Sequence, residues 1–380
     1  MSVTSDPIRV MFVYWGRRGA LSRFTFEVGR TALADPTIEP TICISRSNEL
    51  FDDYVEFGRA LFPVTLFNKS IGAVLGLWRL PLLRSRLLAR LKEDRTQAVI
   101  ALMPHVWGPL IAPAIRKAGV RYATIIHDAD PHPGDPTAAV HNWGLREVDS
   151  ADVVLTLSEA VARSLAASGR VPRSKLFTLF HPDLAYGSPA SHSPPQPGEP
   201  LRLLFLGRIL PYKGLSILLD CIDLLEAEGI AVQLGVFGEG PLAPNTDRLR
   251  QMGAEVVNRW LTGDEIGAVL RRYHAVVLSH TEASQSGIAA AALGGGVPVI
   301  ATPVGGLIEQ IQDGHTGVVA KRTDAPSLAA ATKRLLLDAQ LYATICRTIR
   351  AECHNRSMER FVRECVRYAT QARRSPKSSG

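Results

Sequence analysis

An α/β protein of two doubly wound parallel-sheet domains is the fold this sequence predicts, on three observations. Its 380 residues exceed the size at which one hydrophobic core usually stops growing. Short apolar runs alternate with helical periodicity from end to end, the pattern of a parallel sheet with helical crossovers. Residues 187–200, GSPASHSPPQPGEP, interrupt this series with Pro, Ser and Gly and almost no apolar content, which marks a linker.

In the first half, Ile8–Tyr14 is an apolar run followed by the turn Trp15–Gly19 and a helix at Ala20–Ala34 with apolar residues at Leu21, Phe24, Val28 and Ala32. Further strands are expected at Thr41–Ser45, Ala98–Leu102, Ala123–His127, Val153–Leu157 and Leu176–Phe180. A second series starts at Leu201, with strands Leu201–Leu206, Val232–Phe237, Ala275–Leu278 and Pro298–Ala301. Helices near Leu215–Glu228, Thr262–Arg272 and Ser327–Leu337 alternate with them. A polar helix at about Met358–Ala372 precedes the tail RRSPKSSG, which reads as disordered. The expected boundaries are 1–186, a linker at 187–197, a second domain at 198–355, and a terminal helix at 356–380 that crosses back to the first domain.

Composition narrows the function. The net charge of +7 divides into +3 for residues 1–200 and +4 for residues 201–380, so neither half is a basic arm. No aromatic-interleaved basic motif accompanies it, and nucleic acid is not the expected partner. Five cysteines without a Cys-x-x-Cys pair argue for reduced thiols in the cytoplasm. Val10–Trp15 is too short for a signal-peptide core. Leu278–Glu309 is long and nearly uncharged, but six glycines and two prolines interrupt it, so it reads as a buried helix and strand rather than a membrane span.

That stretch is the centre of the functional argument. Ser284–Gly287 can open a helix whose free N–H groups face an anion, Ser286 and Gly287 standing at the approach; a ligand-free core unit would use the same letters. Leu206–Gly214, LGRILPYKG, places Gly207, Arg208 and Lys213 in one post-strand loop, suited to clamp a diphosphate or simply to remain solvated. Gly238 belongs to a Gly-Glu-Gly-Pro turn, with Pro241 where a helix could start. Glu282 could accept sugar hydroxyls or act as a helix N-terminal acid; Glu309, three residues past Gly305-Gly306, is explained equally by capping. At the first strand's end, Gly16 and Gly19 stand beside Arg17 and Arg18, where a substrate phosphate or only a tight turn fits.

The order of these motifs, Gly-Arg-x4-Lys-Gly, Gly-Glu-Gly-Pro, Glu-x-x-Gln-Ser-Gly and Gly-Val-Pro-Val-x-Ala-Thr-x-x-Gly-Gly-x-x-Glu, resembles the retaining family-4 glycosyltransferases of the GT-B fold over about Leu201–Leu337. The resemblance implies two Rossmann-like domains across a cleft and transfer of a sugar from a nucleoside diphosphate sugar to a glycan or lipid-linked acceptor, without a cofactor. It casts Arg208 and Lys213 as holders of the diphosphate, His127 as a contact to the sugar and β-phosphate, and Glu282 as the first glutamate of a Glu-x7-Glu pattern. The second glutamate would fall within Ala290–Ala292, so that carboxylate is absent. A sugar-nucleotide-binding scaffold without turnover and an epimerase on the same fold are the rival readings. His127–Asp135, HDADPHPGD, holds enough oxygen and nitrogen ligands for a divalent ion, but the resemblance assigns no metal there. Lys69–Arg95 sets seven basic residues among leucines, so Leu75–Leu91 reads either as a helix resting on an anionic membrane at the inner face or as a core helix with a solvated basic face.

Overall fold

The computed structural model describes residues 6–66, 76–131, 138–188 and 191–371. The first series builds β1 (Ile8–Tyr14), α1 (Ala20–Ala34), β2 (Ile38–Ser45), β3 (Leu61–Val64), α2 (Leu80–Glu93), β4 (Ala98–Ala101) and α3 (Gly108–Lys117). It continues through β5 (Arg121–Ile126), α4 (Ala138–Leu145), β6 (Val153–Thr156), α5 (Glu159–Ala167) and β7 (Leu176–Thr178). These strands form one parallel sheet in the order β3-β2-β1-β4-β5-β6-β7.

The second series gives β8 (Leu201–Leu206), α6 (Leu215–Ala227), β9 (Val232–Phe237), α7 (Thr246–Gln251), β10 (Glu255–Val257), α8 (Gly263–Leu270) and β11 (Ala275–Leu278). Then follow α9 (Gly287–Gly294), β12 (Val299–Ala301), α10 (Leu307–Gln310), β13 (Gly317–Val319), α11 (Ala325–Leu336), α12 (Ala339–Ala351) and α13 (Met358–Thr370). The second sheet, also parallel, runs β10-β9-β8-β11-β12-β13. The two-domain α/β architecture is the one expected. Central strands such as AVIA in β4 and AVVL in β11 are buried at every residue, as strands covered by helices on both faces must be.

The sequence order reverses on either side of β1 and of β8. Such switch points open a crevice beyond the carboxyl ends of the flanking strands. The crevices lie between the ends of β1 and β4 in one domain and of β8 and β11 in the other. Local chemistry accounts for the departures from expectation. No helix starts at Pro241, because Pro244 biases the residue before it away from helical angles, and α7 begins only at Thr246. The edge strands β3, β10 and β13 have three or four residues each, too few to show a period.

Helix α13 packs on the first sheet. It buries Met358, Phe361, Val362, Cys365, Val366 and Ala369 in the core that contains Phe24 and Leu155, with the Phe361 and Phe24 rings 5.3 Å apart. Arg363 Nε donates to Asp35 at 2.7 Å and Arg121 Nε to the Ala369 carbonyl at 2.8 Å. The two chain crossings between domains are pinned together, since the Asp183 amide donates to the Arg356 carbonyl at 2.8 Å and Arg356 Nε meets the Asp183 carboxylate at 3.0 Å. Burial pushes the Asp183 carboxyl up to about 7, with Arg356 opposing the rise. Removing one partner of a pair this buried strands the other charge, so Arg356→Ala should destabilise by about 3–5 kcal/mol. The double variant Asp183→Leu, Arg356→Leu should cost less than the single change, as read by thermal unfolding.

Candidate functional site

In the second domain, glycines allow the strand-end loops to touch. A Cβ on Gly238, at φ 143°, would lie 1.9 Å from the Gly207 carbonyl oxygen, and Gly207 itself sits at φ 106°. Removing those Cβ atoms lets Gly207 N donate to Phe237 O and Ile209 N to Glu239 O, both at 2.9 Å. Gly214, at φ 68°, approaches the Ser279 carbonyl in the same way, while Thr281 N donates to Tyr212 O at 2.8 Å. The loops after β8 and β11 are thereby zipped together.

That zipper places Lys213 Nζ 2.8 Å from His280 Nε2 and 5.1 Å from the centre of the Tyr212 ring. Burial, and secondarily the Arg208 charge, lower the Lys213 pKa to about 8; Asp128, across the cleft, opposes the shift. Arg208 is exposed and makes no hydrogen bond or ion pair among the described residues. Two cations therefore converge where one is already partly desolvated, an arrangement that favours an anion between them.

Helix α9 opens on Ser286, whose Oγ accepts from Ala289 N at 3.3 Å, and Ser286 N donates to Gln310 Oε1 at 2.6 Å. A Cβ on Gly287 would lie 3.2 Å from that of Ala20, so the starts of α9 and α1 meet across the cleft. Ala289–Ala292 are buried, and Ala290 packs into the core of the first domain while its carbonyl accepts from Leu184 N at 3.1 Å. A Cβ on Gly294 would fall 2.4 Å from the Leu184 carbonyl oxygen. The small residues of α9, including those where a second glutamate was sought, let this helix lie against the interdomain crossing.

From the first domain, His127 follows β5. Its Nε2 pairs with the Leu102 carbonyl at 2.8 Å and its Nδ1 with Gln285 Nε2 of the second domain at 2.8 Å; burial lowers its pKa. The loop after β1 is braced from its own side, with Asn48 Nδ2 donating to Gly16 O at 3.0 Å and Gly19 N donating to Glu49 Oε1 at 2.8 Å. Arg18 reaches over the Trp260 ring, 5.9 Å from its centre, on the opposite wall.

Glu309 lies apart from the cation pair in its bonding. Its two oxygens accept from Glu159 N at 2.6 Å and Ala160 N at 2.8 Å, capping α5 across the domain boundary, beside the Ser158 Oγ bond to the Ser284 carbonyl at 2.9 Å. Glu282 is exposed on the loop after β11. In the Asp-x-Asp loop, Asp130 accepts from Ser164 Oγ at 3.0 Å; His132 and Asp135 lie outside the described residues. No cluster of three metal-ligating side chains occurs among the described residues.

The structure thus brings Arg208, Lys213 and the Asp128 field together, and His127 to the loop that carries Ser286 and Gly287. Sequence reasoning missed His280, Gln285 and Trp260 as wall residues. Gln285 did stand inside a recognised motif, but its partner lies far away in sequence on the other domain.

The sequence of residues 200–338 matches the family described as Glycosyl transferases group 1. Residues 200–338 are thus similar to a group 1 glycosyltransferase domain. The group 1 match covers the loops that carry Gly207, Arg208, Lys213, Gly238, Glu282, Ser286, Gly287 and Glu309. Among curated relatives, the D-inositol 3-phosphate glycosyltransferase of Mycobacterium marinum is 30% identical over 243 residues, 60% of this chain and 50% of that protein. The 2-deoxystreptamine glucosyltransferase of Streptomyces kanamyceticus is 27% identical over 262 residues, 62% of this chain and 66% of that protein. The chain therefore matches one half to two thirds of these relatives' length.

Around the group 1 domain, the whole chain has the GT-B fold. It superposes on a glycosyltransferase from Rickettsia africae with TM-score 0.70 at 16% identity, covering 97% of this chain and 100% of the other. Anabaena HepE, solved in complex with UDP-glucose, gives 0.67 at 15% identity, covering 94% and 98%.

A diphosphate bound beside Lys213 should return its pKa toward the ordinary 10.5 from about 8. Calorimetric titration with UDP at about pH 9, in buffers of different ionisation enthalpy, should then report uptake approaching one proton, and Lys213→Met should abolish it. Equal heats in all buffers for the unaltered protein would remove Lys213 from contact with the diphosphate.

Proposed function

We propose that this chain is a retaining, family-4-type glycosyltransferase that moves a sugar from a nucleoside diphosphate sugar to an acceptor hydroxyl in the assembly of a bacterial surface or lipid-linked glycan. The observation that carries the reading is the convergence of Arg208 and partly desolvated Lys213 at the switch point of a group 1 domain, with His127 at the facing wall. Two protein cations and the α9 amides can stabilise the leaving diphosphate by preorganised electrostatics. The departing phosphate can then accept the proton of the incoming hydroxyl on the face it has just left, which gives retention. A metal ion is not required by this arrangement.

The test uses the purified protein with a panel of nucleoside diphosphate sugars and lipid-linked or soluble glycan acceptors. Arg208→Ala and Lys213→Ala should each fold and raise the barrier by about 2–4 kcal/mol; near-normal transfer by both would end the assignment. Chelation with EDTA should leave transfer largely intact, and loss restored by Mg²⁺ or Mn²⁺ would transfer the diphosphate-binding role to the Asp128–Asp130 loop. The buried alanines 290–292 favour a second reading, a sugar-nucleotide-binding protein without turnover, which any measured transfer removes.

Attachment to an anionic membrane is the companion proposal. Helix α2 buries Leu83, Leu87 and Leu91 and leaves Leu82 62% exposed, while Trp78 just before it is 72% exposed. Arg79 lies 5.0 Å from the Trp78 ring centre, and Arg84 and Arg86 are exposed on α2, Arg86 with its guanidinium 5.9 Å from the Phe62 ring centre. Arg90 is otherwise engaged, donating to Asp94 at 2.6 Å and to the Arg59 carbonyl at 2.7 Å, and Leu75 lies outside the described residues. No helix among the described residues is long and apolar enough to cross a membrane. At roughly 1 kcal/mol per basic residue near the surface, Arg79, Arg84 and Arg86 changed together to Glu should weaken co-sedimentation with anionic vesicles by about 100-fold or more at low salt. High salt should weaken the unaltered protein as well; equal binding by the variant would show an ordinary solvated helix.

A further inference from the structure

The bond between His127 and Gln285 joins the two domains through a single imidazole. The Leu102 carbonyl can only accept, so His127 Nε2, 2.8 Å away, carries a hydrogen. In the neutral ring that leaves the Nδ1 lone pair to receive Gln285 Nε2 at 2.8 Å. The amide orientation follows from this network: with NH₂ turned to Nδ1, Oε1 must point the other way. Gln285 Oε1 is buried and has no hydrogen-bond partner among the described residues. An amide oxygen in that condition is normally matched by a ligand or water. It stands immediately before Ser286 and Gly287, on the loop that also carries His280, the partner of Lys213.

We propose that Gln285 is a positioning residue that holds His127 as its Nε2–H tautomer across the closed domains and offers its own Oε1 to a hydroxyl of the sugar being transferred. The second half of this statement rests on the glycosyltransferase reading. The first half does not. His127 comes from the end of β5 and Gln285 from the loop after β11, so moving the domains apart breaks the bond and leaves the ring held by the Leu102 carbonyl alone. Restraint of the ring at its second nitrogen is thereby tied to closure, and the oxygen that closure leaves buried asks for an O–H group. A diphosphate cannot supply one when fully ionised, whereas every hexose can.

Two measurements separate the parts. Nitrogen-15 spectra of the histidine side chains in the ligand-free protein should show His127 as a single Nε2–H tautomer. In Gln285→Glu, a carboxylate cannot donate to Nδ1, so His127 should acquire a proton there; the same spectrum in both proteins would overturn the positioning role. Binding is then compared for UDP and UDP-glucose, or the panel member that the unaltered protein binds most tightly with its matching nucleotide. Gln285→Leu should weaken the nucleotide sugar by ten-fold or more and leave the nucleotide within two-fold, while Gln285→Glu serves as the near-isosteric check that folding is intact. Equal loss of both ligands, or no loss, would overturn the hydroxyl contact. Failure of the unaltered protein to bind any nucleotide sugar would end the glycosyltransferase reading and the hydroxyl contact with it, and the tautomer measurement would still judge Gln285 and His127.

Discussion

The arrangement of this molecule depends on how closely α9 can be approached. Its Gly287 meets Ala20 of α1, its Ala290 enters the core of the other domain, and its Gly294 lies under the Leu184 carbonyl. A larger side chain at Gly294 would collide with backbone, which cannot rotate away as a side chain can. Because the helix sits there, the loop before it reaches His127 and Ser158, and α10 after it brings Glu309 to the start of α5. Three polar contacts between domains thus follow from one run of small residues. The same packing accounts for alanine where a carboxylate would otherwise be sought, since a charged side chain at Ala290 would be buried in the hydrophobic core of the first domain.

Electrostatics in the cleft is local and does not follow from the net charge. Lys213 is held against His280 and the Tyr212 ring, and its burial, with the Arg208 charge second, leaves its proton less tightly held than on a free lysine. Glu309 has the opposite character: its oxygens are occupied by backbone amides at a helix start, where a carboxylate is stabilised by geometry and by the macrodipole. Charged residues of both signs therefore line the domain boundary for different reasons, one set poised for an anion and the other bracing the two halves.

The terminal helix makes the domains interdependent. Helix α13 is polar by composition, yet one face buries Phe361, Val362, Cys365 and Val366 in the first domain's core. The chain consequently passes between domains twice, and Asp183 with Arg356 ties the two passages where they run side by side.

The sequence by itself determined the class of fold, because alternating strand and helix periodicity with a Pro- and Ser-rich break is a local signal that needs no partner. It also determined that Arg208 and Lys213 share a post-strand loop, and that a carboxylate is missing at Ala290–Ala292. Tertiary structure decided everything that joins distant segments. The short edge strands exist only by pairing. Glu309 turned toward α5, and Gln285 toward His127, because the two sheets present their carboxyl ends to one another. Those contacts link residues about 150 positions apart, and no periodicity along one chain records which loops a closed cleft will bring within hydrogen-bonding distance.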